Sequence, residues 1–221
     1  MDGATATVMA VNGARPVLDD VAAILEVGRR VGAEAVEFTL GPDDSGVAPG
    51  DISGAHVTAT VDILAIDLEI GVLGVNPSPE LQVDEVRTLD QFALYERTSA
   101  AAWGYPEPTD ADIRNSFDEL RPGWFLASLA DLPVGAGGYT LVDEVARLWG
   151  AAVVPSARGK GVYRELIAAR TRDAKAHGGT LGLVHAMATS SPVLQRVGFR
   201  KVGEQRVYRA ACSGPHGGRP A

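Results

Sequence analysis

The sequence predicts an α/β (α+β) protein with a mixed, mostly antiparallel sheet flanked by helices. Three observations predict it. "WFLASLA", "VGAGGYTLV" and "VARLWGAAVV" follow one another between residues 124 and 154, parted only by turns at "DLP" and "DE". Such spacing reads as three successive antiparallel strands. The third run meets Pro155, a basic turn with two glycines, a helical pattern over 162–177 and a further strand, "TLGLVHAM". Upstream, two helices open on cap-like residues, Thr88 with Gln91 and then Thr109.

Along the chain, residues 1–16 show no period and read as a loose N-terminus. Asp19 or Asp20 can cap a helix that carries Val21, Ile24, Leu25, Val27 and Val31 and ends at Gly32. "EAVEFTL" is a strand. "HVTATVDILAIDLEI", rich in β-branched residues, is a long strand or hairpin arm. "NPSPE" (76–80) is the linker between an N-terminal lobe (17–75) and a larger domain (80–210). In the larger domain, "LQVDEVRT" is a strand. The helix opened by Thr88 stops near "WGYPEP", and that opened by Thr109 carries Ile113, Phe117 and Leu120 at helical spacing. "SSPVLQRV" is a short helix with Pro192 in its first turn. "GFRKVGEQRVYRA" is a closing hairpin, and residues 211–221 form a disordered tail.

The 221 residues carry a net charge of −8, and 46% are hydrophobic. An acidic surface repels phosphates and argues against a nucleic-acid partner. No apolar run reaches the length of a membrane span, and the N-terminus lacks a basic region before its apolar residues. The single cysteine, Cys212, excludes a disulfide framework and a multi-cysteine metal site. These features describe a soluble, cytoplasmic protein, monomeric or homodimeric, with no metal.

Against that acidic background Arg158, Gly159, Lys160 and Gly161 stand at the mouth of a helix. A helix N-terminus exposes unpaired N–H groups and the positive end of its dipole. Glycines let the backbone approach a ligand closely, so the turn is a candidate anion cradle. The competing reading is a glycine turn with solvated basic residues. A P-loop is excluded because Gly161 follows Lys160, and G-x-G-x-x-G because Arg164 stands in the last place. "VGAGG" (134–138) fails in the same way at Thr140.

Strand, proline, R-G-x-G, helix, strand, short helix, "GF" and hairpin, over about residues 82–209, resemble the core of the GNAT superfamily of acyl-CoA-dependent N-acyltransferases. "VVPSARGKGVYRELIAAR" and "LQRVGFRKVGEQRVYR" carry the resemblance. It implies a central parallel strand pair that splays open, with pantetheine along the backbone edge of Ala152, Val153 and Val154. It implies a pyrophosphate seat over Arg158, Gly159, Lys160, Gly161, Val162 and Tyr163. It also implies an oxyanion donor among the amides at a bulge near Val153 or Val154, and acetyl-CoA as co-substrate. Trp103 and Tyr105 fall where the family walls its acceptor site; core packing and a turn are the alternative. Two positions depart from the pattern: Ser156 stands where Gln or Arg is frequent, and Tyr163 where a small residue is common.

Acyl transfer to an amine needs a base for the amine, a donor for the developing oxyanion and a proton for the leaving thiolate. Many family members supply that proton from a tyrosine four residues before the Gly of "GF"; here the position is Leu194. Ser190 and Ser191 are the nearest hydroxyls, with capping of the short helix as their alternative role. The family's carboxylate base is absent from the strand before the cradle, which leaves His185 as candidate base; a packed or surface histidine is the alternative. The expected activity is transfer of an acyl group, acetyl above all, from acyl-CoA to a small-molecule amine by direct attack in a ternary complex. A non-catalytic acyl-CoA-binding regulatory module and a protein-acetylating enzyme are the alternatives.

Residues 17–70 repeat the element order of 162–209: helix, glycine, strand, loop, then a β-rich arm after Gly54 or Gly198. The N-terminal lobe therefore reads as a degenerate half of the same fold. An unrelated α/β extension is the alternative.

Overall fold

The computed structural model describes residues 5–8, 17–42, 49–52, 54–74, 79–118 and 121–212. Residues 76–78 of the expected linker and the tail from Ser213 lie outside them. The chain divides into two compact units, Met1–Asp62 with Gly203–Ala221, and Ile63–Val202. The division falls inside two strands, not at the proline-rich segment.

In the first unit β1 (Thr5–Thr7) lies parallel to β2 (Ala35–Leu40). The N-terminus thus holds a strand where the sequence shows no period. Helix α1 (Val17–Arg30) begins two residues before Asp19, so Asp19 and Asp20 sit in its first turn instead of capping it. There they complement the positive helix end. Gly28 interrupts α1 for a packing reason: a Cβ would lie 2.5 Å from Val36 and 2.7 Å from the Cys212 sulfur. Val21, Val36, Phe38, Tyr208 and Cys212 form this unit's core. Phe38 stacks on Tyr208 with centroids 5.6 Å apart. β2 pairs antiparallel with the end of β9 (Arg200–Ala211), a single strand where the sequence suggests a hairpin, because its pairing partner is β2 and not its own other half. Cys212 is buried and bonds Glu34, so ordered chain runs past the expected tail boundary at 211.

In the second unit the strand order is the end of β3 (Ala55–Asp67), β8 (Leu181–Ala186), β7 (Val145–Val153), β6 (Leu132–Val142), β5 (Trp124–Leu129) and β4 (Leu81–Glu85). β4 to β7 pair antiparallel in succession, and β7 with β8 is parallel. Successive residues of a strand face opposite sides. Leu126 accordingly packs with Phe92, Tyr95 and Ile113 of α2 (Leu89–Trp103) and α3 (Asp110–Phe117). Its neighbour Ala127 packs with Leu166 and Ile167 of α4 (Val162–Ala176) and Leu194 of α5 (Ser191–Arg196). Both predicted cap residues act as such. Thr88 and Gln91 form a reciprocal capping box, as do Thr109 and Asp112.

Each unit holds a parallel strand pair joined through a helix. β1 and β2 form a parallel pair beside β9 in the first, and β7 and β8 a parallel pair beside β3 in the second. The strand that flanks each pair is not the one next in sequence: β9 serves β2, and β3 serves β8.

Candidate active site

The site grows from one irregularity in the β6–β7 ladder. Ala136 pairs with Ala152, but Gly138 pairs with Trp149, so β7 carries an extra residue at Gly150–Ala151. Gly150 takes φ +63°, the left-handed region that favours glycine. The bulge thus lies earlier than the expected Val153–Val154. β7–β8 pairing reaches only Leu148↔Val184, and beyond it the two strands splay.

Antiparallel strands turn alternate N–H groups to alternate sides. Val154 N–H donates to Val134 at 2.9 Å, so it is committed to β6 and cannot serve as the oxyanion donor. By alternation Val153 N–H faces the gap. A cavity of about 940 Å³ opens there, lined by Trp149 to Val153, Tyr163, Arg170, His185 and Leu194 among others.

At its mouth the basic turn has the form of a cradle. Gly159 and Gly161 take φ +79° and +84°, and a Cβ on either would meet no protein atom within 4 Å. The space they keep clear is open. The amides of Gly159, Gly161, Val162 and Tyr163 have no acceptor among the described residues, whereas Arg158 and Lys160 amides close onto Pro155 and Ala157. Four open donors at a helix N-terminus suit a diphosphate. The Arg158 side chain plays a different part from the one expected. Its Nε donates to the Val153 carbonyl at 3.1 Å and Nη2 to Ala102 at 3.3 Å, so it ties the turn to β7 and α2. Lys160 is exposed and stands outside the cavity lining.

Of the residues proposed for chemistry, the cavity gathers His185 and Ser190 and leaves Ser191 out. His185 is exposed near the end of β8. Ser191 is buried and its hydroxyl accepts from Gln195 at 2.9 Å. The helix α5 has no side-chain cap at Ser190. Capping is therefore not the role of Ser190: its hydroxyl donates to Met187 at 3.2 Å and meets the Tyr163 hydroxyl. Burial raises the Tyr163 phenol, while the Arg170 charge and Ser190 pull it back. Leu194 is fully buried. Trp103 lines the cavity and is half exposed; Tyr105 is exposed and lies outside the lining.

Sequence reasoning missed Arg170. It is 2% exposed, and its Nη1 donates to the carbonyls of Gly138 at 3.0 Å and Trp149 at 3.2 Å, the register pair that adjoins the bulge. The signal was present: Val162, Leu166, Ile167 and Ala174 space an apolar stripe on α4, and Arg170 stands in it. The glycine-rich β6 supplies the room, since a Cβ on Gly137 would lie 3.3 Å from Arg170 Nη1 and one on Gly138 2.4 Å from the Trp149 ring. Burial lowers the Arg170 pKa to about 10, against the opposing effect of Tyr163 and Tyr95, so it stays charged at neutral pH. Burial also raises the Tyr95 phenol, with Glu96 adding to the shift.

Among the described residues no group of His, Cys, Asp or Glu could hold a metal, and no helix is long and apolar enough to cross a membrane.

Solved structures share this fold. A tandem GNAT protein from the clavulanic acid biosynthesis pathway matches with TM-score 0.72 at 16% identity, over 97% of this chain and 77% of its own. That coverage takes in the first unit as well as the second. A GCN5-related N-acetyltransferase from Kribbella flavida matches with TM-score 0.65 at 16% identity, over 90% of this chain and 76% of its own. One from Sphaerobacter thermophilus matches with TM-score 0.65 at 19% identity, over 81% and 60%. No curated protein matches the chain. The model of the acetyltransferase (GNAT) family matches residues 86–199, over half of the chain and within the second unit. The chain belongs to the GNAT family of acetyltransferases, enzymes that take their acyl group from acyl-CoA.

Proposed function

We propose that this acyltransferase moves an acyl group, acetyl in the simplest case, from acyl-CoA directly to the amine of a small molecule. The observation that carries the reading is the gap that opens at Leu148, with four unpartnered amides at its mouth. The amides of Gly159, Gly161, Val162 and Tyr163 would hold the diphosphate, and the edge of β7 left unpaired beyond Leu148 would lie along the pantetheine. Acyl-CoA supplies the thioester. The protein orients it, accepts the amine's proton and returns a proton to sulfur.

In the transfer the amine nitrogen bonds the thioester carbon, and the carbon–sulfur bond breaks. His185 takes the proton the nitrogen loses. The Val153 N–H, turned to the gap, donates to the oxygen as its charge develops. The paired hydroxyls of Tyr163 and Ser190 protonate the departing thiolate, in place of the family tyrosine replaced by Leu194. Trp103 walls the acceptor side. The reading extends to a cytoplasmic enzyme, monomeric or homodimeric, that makes no use of nucleic acid, membrane or metal; the net charge of −8 suits a cationic acceptor.

A screen of small amines and basic peptides for thiol release from acetyl-CoA tests the proposal. Release with a small amine, and amide product of matching mass, is the expected result. Release only with peptides would reassign the acceptor to protein, and release with neither would remove the catalytic role proposed for His185 and Tyr163.

A further inference from the structure

Arg170 is a charge in an unusual place. Its side chain is 2% exposed and has no carboxylate partner among the described residues. A buried guanidinium is costly unless its charge and its donors are matched. Of its donors, Nε is used by Leu166 and Nη1 by the carbonyls of Gly138 and Trp149. The Nη2 donors have no acceptor among the described residues, and Arg170 lines the cavity. Carbonyls match the donors and leave the charge uncompensated. A charged guanidinium with one open nitrogen, Nη2, fits a carboxylate oxygen better than any neutral acceptor.

Its place says which end of the donor it meets. Arg170 lies nine residues beyond Gly161 on the same helix, about 13 Å along the axis at 1.5 Å per residue. That is well removed from the diphosphate seat and level with the bulge at Gly150–Ala151, whose flanking carbonyl it binds. Since α4 also presents the cradle, Arg170 approaches from the donor's face of the sheet.

We infer that Arg170 receives a carboxylate at the far end of the acyl chain, so that the preferred donor is a dicarboxylic acyl-CoA of the malonyl or succinyl class. The inference rests on the acyl-CoA reading and names its acyl group. The carboxylate takes no part in the transfer: the amide bond forms at the thioester carbon, the carbon–sulfur bond breaks, and the product keeps the charged terminus.

Calorimetry on the full chain with CoA, acetyl-CoA, butyryl-CoA and succinyl-CoA tests it, because butyryl is the same chain without its charge. Succinyl-CoA should bind about tenfold tighter than butyryl-CoA, the scale of one good charge-assisted pair. Arg170→Gln should abolish that preference, bringing the succinyl-CoA and butyryl-CoA affinities within about twofold of each other. Equal affinities for the two chains in the wild type would overturn the inference, and that comparison decides even if Arg170→Gln does not fold. A preference that survives Arg170→Gln would overturn it too. So would a carboxylate preference found only among acceptor amines and lost in the variant. CoA binding without any chain preference removes this inference alone; no CoA binding at all removes the acyl-CoA reading beneath it.

Discussion

Arg158 Nε donates to the Val153 carbonyl at 3.1 Å, so the basic turn grips the strand before it. The two basic residues of the turn should therefore behave differently. Arg158→Ala should lower stability by about 1 kcal/mol and weaken CoA binding at every salt concentration, because the turn loses its anchor. Lys160→Ala should leave stability unchanged to within about 0.5 kcal/mol. Its loss of CoA affinity should fade as salt rises from about 0.05 to about 0.5 M, as expected of an exposed charge. Thermal unfolding and calorimetry separate the two.

The Tyr163 and Ser190 hydroxyls meet at the cavity wall. If they protonate the thiolate, Tyr163→Phe should lower kcat and kcat/KM together by roughly 10²-fold, with the CoA dissociation constant almost unchanged. Ser190→Ala should show the same pattern with a smaller amplitude. Because burial raises the phenol, it keeps its proton through the assay range, and the activity profile should show no alkaline limb from it below about pH 9. Normal turnover in Tyr163→Phe would leave water as the proton source.

The order of elements, the Thr88 capping box, the Thr109 cap and the form of the basic turn were legible because each is set by local chemistry. Thr88 with Gln91 and the glycines of the turn need only their neighbours in sequence. The bulge, the pairing of β9 with β2 and the hold of Arg158 on Ala102 were not legible, because each is decided by partners far along the chain. Ser190 marks the limit well. A serine beside a proline at a helix start reads as a cap, yet its hydroxyl is claimed by Met187 and Tyr163. Tyr163 reads as a departure from the family pattern, and its contact with Ser190, 27 residues on, is set by the packing of α4 against the start of α5.

The glycines of "VGAGG" should be needed for packing, those of the turn for conformation and space. Gly138→Ala would put a Cβ 2.4 Å from the Trp149 ring and should cost about 1–3 kcal/mol by chemical denaturation. Gly159→Ala meets no atom and should cost only the strain of φ +79°, about 1 kcal/mol. Equal, small costs at both positions would contradict the packing account of β6.

Alkaline stability should depend on Tyr139, whose hydroxyl donates to Asp173 at 2.6 Å. Burial first, then that bond and the charges of Asp173 and Glu85, raise its pKa. The folded state thus holds the proton more tightly than the unfolded chain. The resulting stability is whole below about pH 10, the unfolded value, and is lost as pH climbs toward the folded one. Arg170, lowered to about 10, acts in the opposite sense over the same range. Tyr139→Phe should therefore be less stable at neutral pH by about 1 kcal/mol, the worth of one hydrogen bond, yet lose less stability between about pH 9 and 11. Circular dichroism against pH and urea reads both effects.

The central claim is that the turn at Arg158–Tyr163 seats the diphosphate of CoA. Titration of CoA into wild-type protein and Gly161→Glu, followed by calorimetry with the fold verified by circular dichroism, tests it most directly. Gly161 has open space beyond its Cα, so the new side chain and its negative charge would stand where the diphosphate should sit. Binding to the wild type, with a loss of about 100-fold or more in the variant, is the result predicted from blocking the seat with a like charge. A folded Gly161→Glu protein with unchanged CoA affinity would contradict it.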